Sequence, residues 1–391
     1  MDENLLDLED TETAYQARSD SELKHTFRLF KTLNNNFINQ LGILTARLAY
    51  SMHLPLDFIM KRTLYGQFCG GESLNECSAV VAKLHTYGVK VCLDYAVEGE
   101  HSELGYEQTS NELMRMIEFS SSRDEIPFVV FKPTGIASAQ LLEAISRGQN
   151  LTESQILQWK GSKERFSKIC AASYKAGKRL FIDAEESWLQ PAIDDMSEEM
   201  MKRFNVDWPC IHNTLQFYRH DRLEFLERSL IRAREEGYSF GVKLVRGAYM
   251  DREKERARTL GYEDPIQPNK QSTDHDYDKA LKLCVDNLNH VSLCAASHNE
   301  KSSLFLVKLM KDRGIERHHS NIYFSQLYGM GDHLSFNLAK SGFNVCKYLP
   351  YGPVGSVMPY LMRRAEENTS IGDQMSRDLR LLKMEIGRRR L

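Results

Sequence analysis

VKVCLD, Val89 to Asp94, is the first of eight short apolar or β-branched runs whose reading decides the fold. The others are PFVVFK (Pro127 to Lys132), RLFID (Arg179 to Asp183), CIHNTLQF (Cys210 to Phe217), FGVKLV (Phe240 to Val245), HVSLCAAS (His290 to Ser297), NIYFSQL (Asn321 to Leu327) and FNVCKY (Phe343 to Tyr348). Helical patterns separate them, such as LEFLERSLIRAREEG before the fifth run and SSLFLVKLMKDRG before the seventh. Eight strand-helix repeats in about 300 residues suit an α/β chain closed into a (βα)8 TIM-like barrel better than an open doubly wound sheet. No run is followed by the GxGxxG of a dinucleotide-binding sheet, and GMG at Gly329 to Gly331 lacks the third glycine.

Outward from this core, residues 1–88 read as a helical arm and residues 89–391 as the barrel with a C-terminal helix. Ser19 and Glu22 form a capping box, followed by Leu23, Phe27, Phe30, Phe37, Ile38 and Leu41 at helical spacing; further helices follow Pro55 and Ser73. The FNVCKYLPYG stretch is read as a strand stopped by Pro350 and Gly352.

With 391 residues, 42% of them apolar and 27% charged, the chain buries one large core or two ordinary ones. A net charge of -3 gives no broad basic field, so nucleic acid is not an expected partner. The cysteines show no CxxC spacing, which points to a reducing compartment without a zinc site. MDENLLDLEDTE carries six acidic residues before the first basic one, Arg18, the opposite of a secretory signal or an Arg-rich presequence. Together with the lack of an apolar span, this predicts a bacterial cytoplasmic protein, with a mature eukaryotic fragment as the alternative.

Polar residues recur where these runs end: Asp94, Lys132, Asp183 with Glu185 and Glu186, Gln216, Lys243 and Arg246, His298 and Asn299, Gln326, Tyr348. Each alone has an ordinary reading as a cap or a satisfied buried group. Recurrence at one end of consecutive strands is the pattern of a barrel active site. Histidines and carboxylates do not fall as HxH, HExxH or DxD, so no metal is expected, and no GxSxG elbow points to acyl transfer. A site rich in cations and amides binds anions and leaves the hard chemistry to an organic cofactor. PYLMRRAEEN (Pro359 to Asn368) sets Arg363 beside Arg364, with Glu367 one turn on. Paired guanidinium forks suit a small carboxylate; a solvated basic helix face is the alternative.

With LDYAVEG (Leu93 to Gly99), FIDAEES (Phe181 to Ser187), KLVRGAYM (Lys243 to Met250), QLYGMGDHLS (Gln326 to Ser335), KYLPYGPV (Lys347 to Val354) and PYLMRRAEEN, the chain resembles the proline dehydrogenases. These flavoenzymes oxidise L-proline to Δ1-pyrroline-5-carboxylate. The resemblance implies a distorted (βα)8 barrel whose final helix lies over the C-terminal ends of the strands. It implies that Arg363 and Arg364 grip the proline carboxylate, braced by Glu367, with Glu98 as the ion-pair partner of Arg363. Lys132, Tyr249, Leu327 and Tyr348 would line the substrate face, with Asp183 and Asp94 orienting that shell; Lys132, Asp183, Tyr348, Arg363 and Arg364 form the implied catalytic set. FAD would be held by Gln216, Lys243, Val245, Arg246, Gly247, Ser297, His298 and Gln326, its pyrophosphate meeting amide protons at a helix start near Ser297 to Asn299.

A tyrosine at position 348 goes with proline in this family, whereas relatives preferring 4-hydroxyproline carry serine there. The family passes electrons to a membrane quinone, and this chain resembles its monofunctional form, which hands its product to a separate pyrroline-5-carboxylate dehydrogenase. MSRDLRLLKMEIGRRRL, with Met375, Leu379, Leu382 and Ile386 on one face and six Arg or Lys around them, suits peripheral contact with an anionic inner membrane; a packed helix is the alternative. The rival functions are a 4-hydroxyproline dehydrogenase, a non-catalytic carboxylate-binding sensor and a barrel enzyme for a phosphorylated ligand.

Overall fold

The computed structural model describes residues 6–35, 57–97, 102–370 and 372–391, without the side chains of 57, 59, 366–370 and 372–375. Phe37, Ile38, Leu41 and Glu98, and the side chains of Glu367 and Met375, therefore lie outside the described residues. All eight expected runs are strands: β1 (Lys90–Tyr95), β2 (Phe128–Phe131), β3 (Arg179–Ile182), β4 (Ile211–Gln216), β5 (Phe240–Val245), β6 (Val291–Ala296), β7 (Ile322–Leu327) and β8 (Val345–Tyr351). They follow the order β1 to β8 and close into a barrel. The closing pair is parallel, from Lys90 opposite Cys346 to Tyr95 opposite Tyr351. This is the expected (βα)8 architecture.

The main helices are α1 (Thr11–Tyr15), α2 (Asp20–Leu33), α3 (Leu74–Thr86), α4 (Glu103–Ser121), α5 (Glu153–Lys175), α6 (Gln190–Phe204), α7 (Arg222–Glu236), α8 (Met250–Leu260), α9 (Lys270–Asp286), α10 (Glu300–Asp312), α11 (Asp332–Lys340), α12 (Met358–Ser370) and α13 (Gly372–Arg388). Contacts divide the chain into two compact units, residues 1–98 with 298–300 and 325–391, and residues 99–297 with 301–324.

The second unit holds β2 to β6. Its strands are buried on both faces, as parallel strands under helices are, so Phe128, Val129, Leu180, Ile182, Leu215, Val242 and Leu293 are all within a few per cent of full burial. Phe128 and Phe181 stack with ring centroids 4.3 Å apart, and the edge of His212 meets both rings.

In the first unit the arm and the tail share one apolar cluster, including Leu23, Phe30, Phe68, Val357, Leu361, Leu381 and Leu382. Helix α2 begins at the expected capping box, Ser19 and Glu22 satisfying each other's orphan N–H groups. Two expectations are refined here. First, β8 runs through Pro350 to Tyr351 and stops immediately before Gly352, so of the two expected stops only the glycine holds. Proline forfeits only its N–H, and the Pro350 carbonyl still accepts from Gly70 N–H at 2.8 Å. Second, of the two readings of α13 its described apolar face takes that of the packed helix. Leu382 is buried, and Leu379 and Ile386 pack on the same cluster. Four of its cations are engaged as well, Arg377 with Glu9 and Glu300, Arg380 with Glu9, Arg388 with Glu385, and Arg389 with Glu385 and Asp20. No helix among the described residues is long and apolar enough to cross a membrane.

Candidate active site

In the second unit the side chains expected to form the site stand at or near the carboxyl ends of β2 to β6. Lys243 lies on β5 with its ammonium 5.1 Å above the Phe181 ring and pairs with Asp183, the residue that follows β3. A cation expected to face flavin and a carboxylate expected to orient substrate are thus joined in one buried pair. Beyond β5, the Arg246 guanidinium is fixed on every side: Nε donates to Asp274 at 2.7 Å, the two terminal nitrogens to the Ser297 hydroxyl at 2.6 Å and the Ser302 hydroxyl at 2.9 Å, and the plane lies 4.3 Å over the Tyr277 ring. A preset planar fork of this kind meets a phosphate without reorganisation. Val245, which closes β5, is half-buried just before Arg246. Gly247 follows with φ 136°, and a Cβ there would stand 2.4 Å from the Tyr218 ring, so the position requires glycine.

Gln216 ends β4 and donates from Nε2 to the Glu185 carbonyl at 2.7 Å. Lys132 caps the short turn Pro133–Gly135 after β2. Within that turn Thr134 donates its N–H and its hydroxyl to Glu185, at 2.7 and 2.6 Å. Burial pushes the Glu185 carboxyl up to about 7. Tyr249 caps α8, its carbonyl accepting from Glu253 N–H at 3.0 Å.

In the first unit, Asp94 is fully buried on β1 opposite Pro350, and Tyr348 is half-buried on β8. The Gln326 side chain accepts from the Ser335 hydroxyl at 2.8 Å. His298 accepts the Leu327 N–H at Nε2, 3.3 Å away. Burial, with Lys347 and Arg364 nearby, pushes its pKa down to about 3, so the ring is neutral and its hydrogen sits on Nδ1. That buried Nδ1–H has no hydrogen-bond partner among the described residues. Gly331 leaves the approach to it open, since a Cβ there would stand 2.6 Å from Nδ1. Arg364 is only 8% exposed and lies 5.2 Å over the Tyr360 ring, while Arg363 beside it is half-buried. The proposed partners Glu98 and Glu367 cannot be placed, lying outside the described residues and side chains.

Sequence reasoning missed the residues that support these side chains. Glu253 is fully buried, accepting from the Ser187 N–H and hydroxyl at 2.6 Å each. Asp332 pairs with Arg18 at 2.7 Å and with buried Lys347 at 2.9 Å, and both cations hold its carboxyl well below the usual range against the cost of burial. His333 lies between Glu300 at 3.0 Å and Asp378 at 3.2 Å. Burial lowers its pKa, but the two carboxylates outweigh that and raise it to about 9. Asp332 and His333 stood inside the quoted QLYGMGDHLS, where adjacency gave no hint of their partners, Arg18 among them at 314 residues' distance.

Residues 77–377 match the family described as Proline dehydrogenase. Relatives include the carbapenem antibiotics biosynthesis protein CarD of Pectobacterium carotovorum, 35% identical over 92% of this chain and 92% of that one. The mitochondrial proline dehydrogenase 1 of Dictyostelium discoideum is 32% identical over 99% of this chain and 75% of its own length. A hydroxyproline dehydrogenase of Xenopus laevis is 34% identical over 84% and 78%. Among solved structures, proline utilization A from Bdellovibrio bacteriovorus superposes with a TM-score of 0.72 at 22% identity, over 91% of this chain and 38% of that one, a likeness of fold. With the match spanning β1 to β8 and the strand-end residues in place, the chain belongs to the proline dehydrogenase family.

Proposed function

We propose that this protein oxidises L-proline to Δ1-pyrroline-5-carboxylate with FAD as its cofactor and a quinone as electron acceptor, the first step in converting proline to glutamate. A separate pyrroline-5-carboxylate dehydrogenase would take the product. The observation that carries this reading is the burial of Arg364 within the arginine pair on α12. A merely solvated helix face would expose that guanidinium, whereas a carboxylate clamp needs it partly desolvated, where an ionic hydrogen bond is strong.

The residues present fit a flavin. His298 offers a buried donor, Arg246 a preset fork, and Lys243, Val245, Gln216, Gly247, Ser297 and Gln326 complete the expected set. FAD, when bound, supplies the two-electron acceptor that no side chain provides. In this reading Arg363 and Arg364 bind and orient the substrate carboxylate, braced by Glu367 and closed by Glu98. Lys132, Tyr249, Leu327 and Tyr348 line the ring, and Asp94 and Asp183 orient that shell. Lys132, Lys243 and the two arginines create a positive field that lowers the pKa of the bound ammonium, so the amine reaches its reactive neutral form without a strong base. Asp183 offsets part of that field by pairing with Lys243.

Visible spectroscopy of the purified protein tests this: flavin bands that bleach anaerobically on adding L-proline support it, and a protein that stays colourless after reconstitution with FAD defeats it. Replacing Arg363 or Arg364 by Met should raise KM for proline steeply with flavin content intact; lost flavin would instead assign them to the cofactor. The hydroxyproline dehydrogenase relative makes 4-hydroxyproline the second substrate to test. Tyr348→Ser should shift kcat/KM toward it, by roughly 10-fold or more if bulk at that position decides.

A further inference from the structure

Two buried carboxylates in the second unit hold strand-end loops with the same grip. Glu185 takes both the N–H and the hydroxyl of Thr134, at 2.7 and 2.6 Å. Glu253 takes both the N–H and the hydroxyl of Ser187, at 2.6 Å each. Glu185 is 4% exposed and Glu253 is not exposed at all, and neither joins an ion pair among the described residues. A carboxylate buried without a cation is costly unless its oxygens are well bonded, and here all four oxygens are used on loop donors.

What the two grips hold is specific. Thr134 lies two residues past Lys132, across Pro133, so fixing Thr134 fixes the turn that Lys132 caps. Glu185 also ties its own main chain, its carbonyl accepting from Gln216 Nε2 at 2.7 Å and its N–H donating to Gln190 at 3.0 Å. Ser187 closes the same FIDAEES segment that carries Asp183 and its Lys243 pair. Glu253 sits one turn past Tyr249 and donates its N–H to the Tyr249 carbonyl, so the grip on Ser187 ties the start of α8 to that segment. The forks therefore clamp segment 183–187 from both sides, linking the loops after β2, β3 and β5.

We propose that Glu185 and Glu253 are positioning residues, Glu185 setting Lys132 and Glu253 setting Tyr249. The inference rests on the function proposed above, in which Lys132 and Tyr249 face substrate. Glu185→Ala should then raise KM for proline by about 10-fold while FAD binding to the apoprotein, read by flavin fluorescence, stays unchanged, because the main-chain carbonyl that Gln216 donates to is retained. Glu253→Ala should raise KM about as much and leave FAD binding unchanged.

Glutamine at either position keeps one acceptor for the N–H and offers an amide to the hydroxyl, so Glu185→Gln and Glu253→Gln should recover most of the loss. Thr134→Val and Ser187→Ala remove the hydroxyl partner alone and should reproduce a milder form of each alanine phenotype, which keeps the test open if an alanine variant fails to fold. Wild-type KM in both alanine variants, or in both hydroxyl variants, would overturn the inference, as would losses that track thermal stability and are not recovered by glutamine. A wild-type protein that binds FAD and bleaches with proline while the variants match it defeats this proposal alone. A wild type that does neither defeats the function and this proposal together.

Discussion

In the unit of β2 to β6, Glu185 and Glu253 fix their loops through N–H and O–H donors, whereas in the unit of arm and tail the buried carboxylates Asp332, Asp378 and Glu385 answer to cations. Two of those cations, Arg18 and Arg389, tie the arm to the rest of its unit: Arg18 meets Asp332, and Arg389 holds the Tyr15 and Arg18 carbonyls while pairing with Glu385. Hydrogen bonds to loop donors hold geometry at a modest net energy and respond little to salt. Buried ion networks contribute little net stability while complete, yet are costly to break, because each lost partner strands a charge. These arm-and-tail charges should therefore be more fragile to single substitutions than the loop grips of Glu185 and Glu253, and should resemble the Arg222–Asp194 and Lys243–Asp183 pairs of the other unit.

The sharpest way to break this comparison is Asp332→Ala, which strands Arg18 and Lys347 together. It should cost about 3–5 kcal/mol in chemical denaturation. Glu253→Gln in the other unit should cost under about 1 kcal/mol, because a neutral amide preserves most of the grip. Equal losses would mean the two units are held alike.

Next is pH. His333 has its pKa raised to about 9 in the folded chain, so its contribution is fully present below the ordinary value near 6.5 and fades as pH rises through 9. A shift of this size corresponds to about 3 kcal/mol, and His333→Asn should remove that slope from the stability profile between pH 6.5 and 9. Glu185, raised to about 7, also makes stability fall with rising pH, but between 4.5 and 7. Glu185→Gln should flatten that lower window by at most about 3 kcal/mol and leave the upper one intact. Slopes removed from the same window by both variants would remove the distinction.

The smallest effect is expected at Arg380, whose pair with Glu9 leaves both side chains about half exposed. Arg380→Ala should change stability by less than about 1 kcal/mol, and less still in high salt.

The barrel was legible because strands buried on both faces write themselves as unbroken apolar runs, and the polar residue closing each run marks the strand end. Lys243, Asp183, Gln216 and His298 could be named for the same reason, although not their pairings. The last helix shows the limit: its apolar face was plain in Leu379, Leu382 and Ile386, but amphipathicity does not say what covers a face, and here Leu23 and Phe30 of the arm belong to the same cluster. Pro350 shows another, since a missing N–H ends a strand only where that N–H was needed. Glu253 gave no signal at all, because a carboxylate inside MDREKERARTL reads as one more solvated helix charge until Ser187 is seen beside it.

The bonds of the arm span extreme distances along the chain. Arg18 meets Asp332 across 314 residues, and Thr11 donates to Glu385 across 374. Proteins are made from the N-terminus at about 5–20 residues per second, so roughly half a minute separates the emergence of α2 from that of its partners on α13. Throughout that interval Leu23 and Phe30 have no tail to pack on. The helix that leaves the ribosome early is among the last to be sheltered, which makes the nascent arm the natural place for a chaperone to bind and the point where slowed translation near the end of the message would expose the chain longest.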